Sequence, residues 1–316
     1  MSDTVAAQCD GRGAWPSASV RPDAGVPLGS NGVASVVAVD VMPGPEPSPE
    51  LVRVRLDLGY DGTDFAGWAF QHEQRTVQGE LERALAVVSR RTDLPRVTVA
   101  GRTDAGVHAT GQVAHIDLPE DVVEDRLLRR LNGLLPEDVQ VHAVTRAPAG
   151  FDARFSGLAR TYRYRIADAP GQVDPLRRRD TLAWPRALDL AAMQQAAAAL
   201  LGLQDFAAYC RKREGATTVR TLLQLDWARE DVLVATVRAD AFCHSMVRSL
   251  VGALVSVGEG RRDVGWPATL LSSPGRASDV VVAPPHGLTL VRVEYPPDDQ
   301  LAERQRITRN LREPSG

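Results

Sequence analysis

The sequence predicts an α+β fold made of two similar α/β-sandwich halves, with mixed or antiparallel sheets covered by helices and a cleft between the halves. Three observations support it: segments with period-two alternation take turns with segments of helical period, the second half repeats the element order of the first, and 316 residues suffice for two cores. The predicted organisation is a low-complexity tail over 1–49, halves over 50–150 and 151–296, and a polar tail over 297–316.

The first half opens on a strand, because Val54, Leu56 and Leu58 alternate with charged residues. A helix follows over 77–91, with apolar residues at helical spacing and Thr76 as its N-terminal cap. Further strands are predicted over 96–100, 112–118 and 139–144, and a second helix over 122–134.

The second half follows the same scheme. Strands are predicted over 161–167, 222–227, 232–239 and 288–294, and helices over 190–201, closed by Gly202, and over 244–257. Two halves of similar order indicate a duplicated architecture.

Both ends of the chain differ from this pattern. Residues 1–49 are rich in Gly, Ala, Ser, Pro and Val without any period, so disorder is expected there. Residues 297–316 are polar, with room for one short helix. We expect neither tail to carry chemistry.

Composition predicts a cytoplasmic protein with no membrane partner. The best apolar stretch, 250–257, is far shorter than the roughly 18 residues of a membrane span, and the N-terminus lacks the order of a secretory signal. Cys9, Cys210 and Cys243 are odd in number and widely spaced, which favours reduced thiols over a disulfide framework or a zinc site. His108 and His115 lack a third ligand at usual spacing, so no metal is expected.

The charge gives little support for a nucleic-acid partner. The net charge is −3, although six acids and two bases in residues 1–50 leave the remainder near neutral. Arg211, Lys212 and Arg213 form a basic cluster suited to phosphate contact, but such runs are more often solvated surface.

The most informative stretch is 101–109, GRTDAGVHA, between two predicted strands. Its glycines permit tight backbone geometry, and Arg102 could hold Asp104 ionised and aimed as a nucleophile. Residue chemistry alone favours the alternative, in which Asp104 caps a turn, because most loop aspartates do so.

This stretch is identical to the signature of the tRNA pseudouridine synthase A (TruA) family, which the chain resembles from about residue 51 to 295. Other matching segments occur in the family's order: 60–63, 65–68, 76–81, 151–156, 160–164, 242–248 and 251–252.

The resemblance implies roles for four residues. Asp104 would be the nucleophile, Arg102 its ion-pair partner, Tyr162 the aromatic ring that stacks on the target base, and Arg248 an arginine that pairs with the aspartate across the cleft. Without it, Tyr162 could equally be a buried strand aromatic, and Arg248 a helix residue reaching to solvent. The chain departs from the family pattern at Cys243 and Ser245, which puts packing or RNA contacts in doubt.

The family's activity would be isomerisation of uridine to pseudouridine at positions 38–40 of the tRNA anticodon stem-loop, by a homodimer with no metal or organic cofactor. The predicted cleft would then bind RNA, and the target base would leave its stack to enter it. Two alternatives stay open: a non-catalytic RNA-binding or chaperone protein on this fold, and a carboxylate-dependent glycosidase, which would need a second acid across the cleft.

Overall fold

The structure is a computed structural model that describes residues 50–94, 96–123, 125–211, 217–273 and 275–310. Within these ranges ten strands form one mixed sheet, in the order β4-β1-β3-β10-β5-β9-β8-β7, with β2 paired to β3 and β6 to β5. The strands are β1 Leu51–Tyr60, β2 Thr98–Val99, β3 His108–Pro119, β4 Val139–Arg146, β5 Ala159–Ala167, β6 Leu182–Ala183, β7 Gly202–Asp205, β8 Val219–Arg229, β9 Leu233–Ala239 and β10 Leu288–Glu294.

The position of β10 joins the first part of the chain to the second. It runs parallel to β3, with Thr289 opposite His108, and antiparallel to β5, with Leu290 opposite Tyr162. The last strand therefore brings the start of β3, where the GRTDAGVHA stretch ends, close to the strand that carries Tyr162. The structure confirms a protein of helices and a large mixed sheet, while the division into two sandwich halves stays a prediction.

The described helices are α1 Val77–Ser89, α2 Leu127–Asn132, α3 Leu190–Ala198, α4 Met246–Gly258, α5 Trp266–Thr269 and α6 Leu301–Asn310. The predicted cap of α1 is confirmed, since the Thr76 side chain accepts a hydrogen bond from the Gly79 N–H. Along α4 every residue except Arg248 is buried, as expected for a helix that is apolar on all sides.

Several boundaries differ from the prediction. A 3₁₀ turn over Glu120–Val122 precedes α2, so this helix is shorter than the predicted 122–134. The prediction that Gly202 closes α3 is wrong, because α3 ends at Ala198 and Gly202 begins β7, where its φ of +95° suits glycine. The first pairing residue of β3 is His108 because β10 lies beside it, a contact that local periodicity does not encode.

The C-terminal region forms the short helix that its composition allowed. Leu301, the first residue of α6, is 2% exposed, and the Ser156 hydroxyl donates to its carbonyl oxygen. The predicted N-terminal tail, 1–49, lies outside the described residues. None of the described helices combines the length and apolarity required to cross a membrane.

The prediction of three unpaired cysteines is wrong for two of them. Cys210 and Cys243 are joined in a disulfide, with their Cα atoms 5.7 Å apart. They are 33 residues apart in the chain, and only the packing of the segment after β7 against the segment before α4 brings them together.

Candidate active site

The loop that carries Asp104 is held by close backbone packing. Gly67 has φ +100°, and a side chain there would lie 2.9 Å from the Thr103 carbonyl oxygen. Gly106 has φ +74°, and a side chain would lie 2.9 Å from Pro285. Since only glycine combines these angles with such close approach, the two glycines allow the loop to lie against both neighbours.

Hydrogen bonds around Thr103 fix the loop further. The Thr103 hydroxyl lies 2.8 Å from the buried Tyr60 hydroxyl. The Gln112 side-chain amide donates to the Tyr60 hydroxyl and to the Gly101 carbonyl. The Trp68 N–H donates to the Thr103 carbonyl. Partners on both sides therefore hold the backbone next to Asp104 in place.

The Asp104 carboxylate faces the beginning of α4. Its Oδ2 accepts a hydrogen bond from the Ser245 hydroxyl at 3.4 Å, and its Oδ1 lies 3.4 Å from His244 Nε2. Among the described residues, no backbone N–H donates to this carboxylate. The structure therefore does not use Asp104 as a turn cap, and 27% of its side chain is exposed to the cavity beside it.

Arg248 is the arginine that lies across from this carboxylate. Its Nη1 is 3.6 Å from Asp104 Oδ2, and its Nε donates to the Ala283 carbonyl at 2.7 Å. Only 19% of the side chain is exposed. Arg248 is therefore partly buried and oriented by a carbonyl, and it is not a helix residue that extends into solvent.

Arg102 departs from its expected role. The described structure has no ion pair between Arg102 and Asp104, and the Arg102 side chain is exposed while it lines the same cavity. Arg248 occupies the position of ion-pair partner. Local spacing suggested an Arg102 pair because the two residues are near in sequence, whereas the tertiary fold presents α4 to the carboxylate.

Tyr162 lies on β5 and lines the cavity. Its ring makes an edge-to-face contact with Phe242 at 5.1 Å between centroids. Burial raises the pKa of its phenol well above the usual value, and the Asp104 carboxylate adds to this rise. The phenol is therefore protonated at neutral pH.

Sequence reasoning did not single out Arg160, which connects the two walls of the site. Its guanidinium donates to the Asp240 carbonyl at 2.7 Å and to the carbonyls of Ala100 and Arg154 at 2.9 Å. Ala100 precedes the Asp104 loop, and Asp240 precedes the segment that leads into α4. Burial lowers the pKa of this arginine. Arg160 begins a segment that matches the family, which could have pointed to it. Its hydrogen-bond partners could not be predicted, because they lie in other parts of the chain.

These side chains surround a cavity of about 730 Å³. Asp104 is the only carboxylate among its described lining residues, which also include five arginines: Arg96, Arg102, Arg154, Arg160 and Arg248. A chain of slightly negative net charge thus places five arginines and one acid along the same cavity. The cavity can attract a polyanion and present to it a carboxylate and an aromatic ring.

The other residues suggested by sequence have different surroundings. Arg211 is exposed, and its backbone N–H donates to the His244 carbonyl, but its side chain is not among those lining the cavity. Lys212 and Arg213 lie outside the described residues. His108 accepts from the Gly62 N–H through Nδ1, and its Nε2 lies 2.8 Å from the Arg179 carbonyl. Its ring nitrogens are therefore engaged in structural contacts.

Comparisons with known proteins agree on one family. A family model described as tRNA pseudouridine synthase matches residues 196–296. A protein of Frankia casuarinae is 63% identical over 268 residues, which cover 84% of this chain and 97% of that protein. Proteins of Streptomyces griseus and Mycobacterium leprae are 58% and 55% identical, over 84% and 83% of this chain and 95% and 96% of theirs. All three relatives are named tRNA pseudouridine synthase A.

Proposed function

Because the chain belongs to the tRNA pseudouridine synthase A family, we propose that Asp104 is the nucleophile with which it isomerises uridine to pseudouridine in tRNA. One observation carries the residue assignment. The Asp104 carboxylate lies 3.6 Å from Arg248 in a cavity whose described lining contains no other acid. A partly exposed carboxylate that a neighbouring arginine orients can reach a bound base.

The chemistry fits this small set of groups. The bond between uracil N1 and the sugar C1′ breaks, the base turns, and a bond from C5 to C1′ forms. The hydrogen on C5 leaves as a proton and N1 gains one, so the reaction needs no oxidant, reductant or net water. Asp104 would attack either C1′ or the uracil C6 and later leave, which divides one difficult substitution into easier steps.

The Tyr162 ring would stack on the target uracil once this base has left the RNA helix. Taking a base out of a helix costs a few kcal/mol, and an aromatic face in the pocket offsets part of this cost. Because its phenol is protonated in the free protein, its hydroxyl would act first as a hydrogen-bond donor. The Tyr162 oxygen could accept the C5 proton only after the phenol had lost its own proton to another group.

The cavity is proposed as the central RNA-binding cleft, with the anticodon stem-loop as its ligand and positions 38–40 as the targets. The three exposed arginines of its lining, Arg96, Arg102 and Arg154, support this proposal, since phosphates need cations and arginine binds them in a planar, bidentate fashion. The RNA contacts suggested for Arg211, Lys212 and Arg213 remain part of the proposal, and Arg211 is hydrogen-bonded through its backbone to His244 beside Asp104.

The experiment that tests this function is site-specific mapping of pseudouridine. Purified protein is incubated with unmodified tRNA transcripts, and with the same transcripts carrying cytidine at positions 38–40. We expect product only at the uridines of these positions. Asp104→Ala should reduce the single-turnover rate to below about one-thousandth. Asp64→Asn is the matched control, because Asp64 is exposed and does not line the cavity, and it should keep the normal rate.

Three outcomes would contradict the proposal. Product elsewhere in the tRNA would refute the target positions, and equal product from Asp104→Ala would refute the nucleophile. Tight RNA binding with no product would support the alternative of a non-catalytic RNA-binding or chaperone protein. Release of free uracil would indicate a glycosidase, which the single cavity carboxylate of the described lining disfavours.

A homodimer and a cytoplasmic location are also proposed. The dimer rests on family resemblance, and the location rests on the composition of the sequence. Light scattering with the full chain should give twice the chain mass. Full activity at the mass of one chain would refute the dimer. Fractionation of cells that express the tagged chain should place it with the cytoplasmic proteins.

A further inference from the structure

The disulfide between Cys210 and Cys243 lies at the wall of the active-site cavity. Cys243 is partly exposed and lines the cavity, whereas Cys210 is 1% exposed and is not among the lining residues. The next residue after each cysteine also connects the two segments, because the Arg211 N–H donates to the His244 carbonyl. The disulfide therefore connects a buried segment to the one that contacts Asp104.

We propose that Cys210 and Cys243 form a reversible thiol–disulfide site that exchanges with small-molecule disulfides through the active-site cavity. The Cys243 thiolate attacks one sulfur of the small disulfide, forms a mixed disulfide and releases one thiolate. Cys210 then loses its proton and attacks the Cys243 sulfur, which expels the second thiolate. Two protein thiols are oxidised and one external disulfide is reduced to two thiols.

The surroundings assign the two roles. Cys243 precedes α4 by three residues and shares its cavity with five arginines, and both the helix N-terminus and nearby cations favour a thiolate. Buried Cys210 has no comparable access, so it reacts second. The Cα separation of 5.7 Å lies within the disulfide range, so the second step needs no large backbone movement.

Reversibility follows from the expected compartment. Disulfides in a reducing cytoplasm are usually transient and serve catalysis or redox sensing. Cys243 also comes directly before His244 and Ser245, which both contact Asp104. The site is therefore placed where its oxidation state restrains the segment around the nucleophile.

Occupancy of the cavity should control the exchange. This part of the inference rests on the proposed function, because it takes RNA as the occupant. Bound RNA would cover Cys243, so at an RNA concentration ten times its Kd the exchange rate should fall about tenfold. A DNA oligonucleotide without measurable affinity is the matched control.

The experiment uses the full chain, reduced with a thiol and then freed of it. The protein is incubated with oxidised glutathione, the remaining thiols are alkylated, and the peptides are identified by mass spectrometry. We expect a link between Cys210 and Cys243 and none to Cys9. In Cys210→Ser the reaction should stop at a mixed disulfide between glutathione and Cys243. In Cys243→Ser, Cys210 should form neither a mixed disulfide nor any cross-link.

Specific results would overturn the proposal. The first is a stable mixed disulfide on Cys243 in the unsubstituted chain, and the second is attack at Cys210 in Cys243→Ser. The third is absence of the link, with both thiols alkylated once the protein has been denatured. Reduced Cys210→Ser should retain full isomerase activity, which shows that it folds. If the link forms but RNA gives no protection, the thiol site stands and the proposed occupant of the cavity fails.

Discussion

Arg248 Nη1 lies 3.6 Å from Asp104 Oδ2, and Arg248 Nε donates at 2.7 Å to the Ala283 carbonyl. The guanidinium is thus held by one neighbour and faces the other. Its planar fork allows both contacts at once, which a lysine ammonium could not reproduce in the same geometry.

Arg248→Met should lower kcat on the order of 10²-fold with a smaller change in KM, because Asp104 loses the group that orients it. Arg248→Lys should be intermediate, since it keeps the charge but loses the Ala283 contact. Single-turnover kinetics on a tRNA transcript measures both. Arg262→Met is the control, because Arg262 pairs with Asp279 and does not line the cavity. Equal rates for Arg248→Met and the control would contradict the role.

Tyr162→Phe separates the ring from the hydroxyl. The Phe variant keeps the edge-to-face packing on Phe242, so KM should change little, while loss of a hydroxyl used in proton transfer would slow kcat by about 10²-fold or more. Tyr162→Leu also removes the stacking face and should weaken RNA binding by about 1–3 kcal/mol. A Phe variant with the full rate would show that the hydroxyl is not used.

Arg160→Met should destabilise the fold by about 2–4 kcal/mol, because the carbonyls of Ala100, Arg154 and Asp240 lose their donor in a buried place. Urea unfolding measures the change. Arg163→Met on the same strand is the matched control. Its arginine is half-exposed and pairs with Glu230, so it should cost no more than about 1 kcal/mol. Similar losses for the two variants would refute the special role of Arg160.

The lowered pKa of Asp61 predicts that the stability of the fold depends on pH. Burial tends to raise the pKa of Asp61, but hydrogen bonds from Thr63 and Arg179 outweigh it and lower the pKa from 3.8 to about 2. A carboxyl whose pKa is lower in the folded state stabilises the fold above its unfolded pKa. This stabilisation, about 1–2 kcal/mol after allowance for solvent screening, should disappear as the pH falls from 3.8 to about 2.

The unfolding free energies of the normal chain and of Asp61→Asn, measured between pH 5 and pH 2, test this expectation. The difference between them should shrink across that window. A difference that stays constant with pH would show that Asp61 acts through packing alone.

Local patterns predicted much of the fold. The alternation of Val54, Leu56 and Leu58 indicated β1, and Thr76 marked the start of α1, because a cap and a hydrophobic period are properties of neighbouring residues. The boundaries that differ, such as the start of β3, depend on a partner strand from the far end of the chain.

The sequence by itself determined which motif carries the candidate nucleophile, because nine consecutive residues around Asp104 match a family signature. Only the tertiary structure decided which of the two expected arginine partners, Arg102 or Arg248, lies against Asp104, that five arginines line the same cavity, and that Cys210 meets Cys243. The physical reason is that charge pairing and disulfide formation act over a few ångströms in space. Residues far apart in the chain reach that distance only through packing of the sheet and α4.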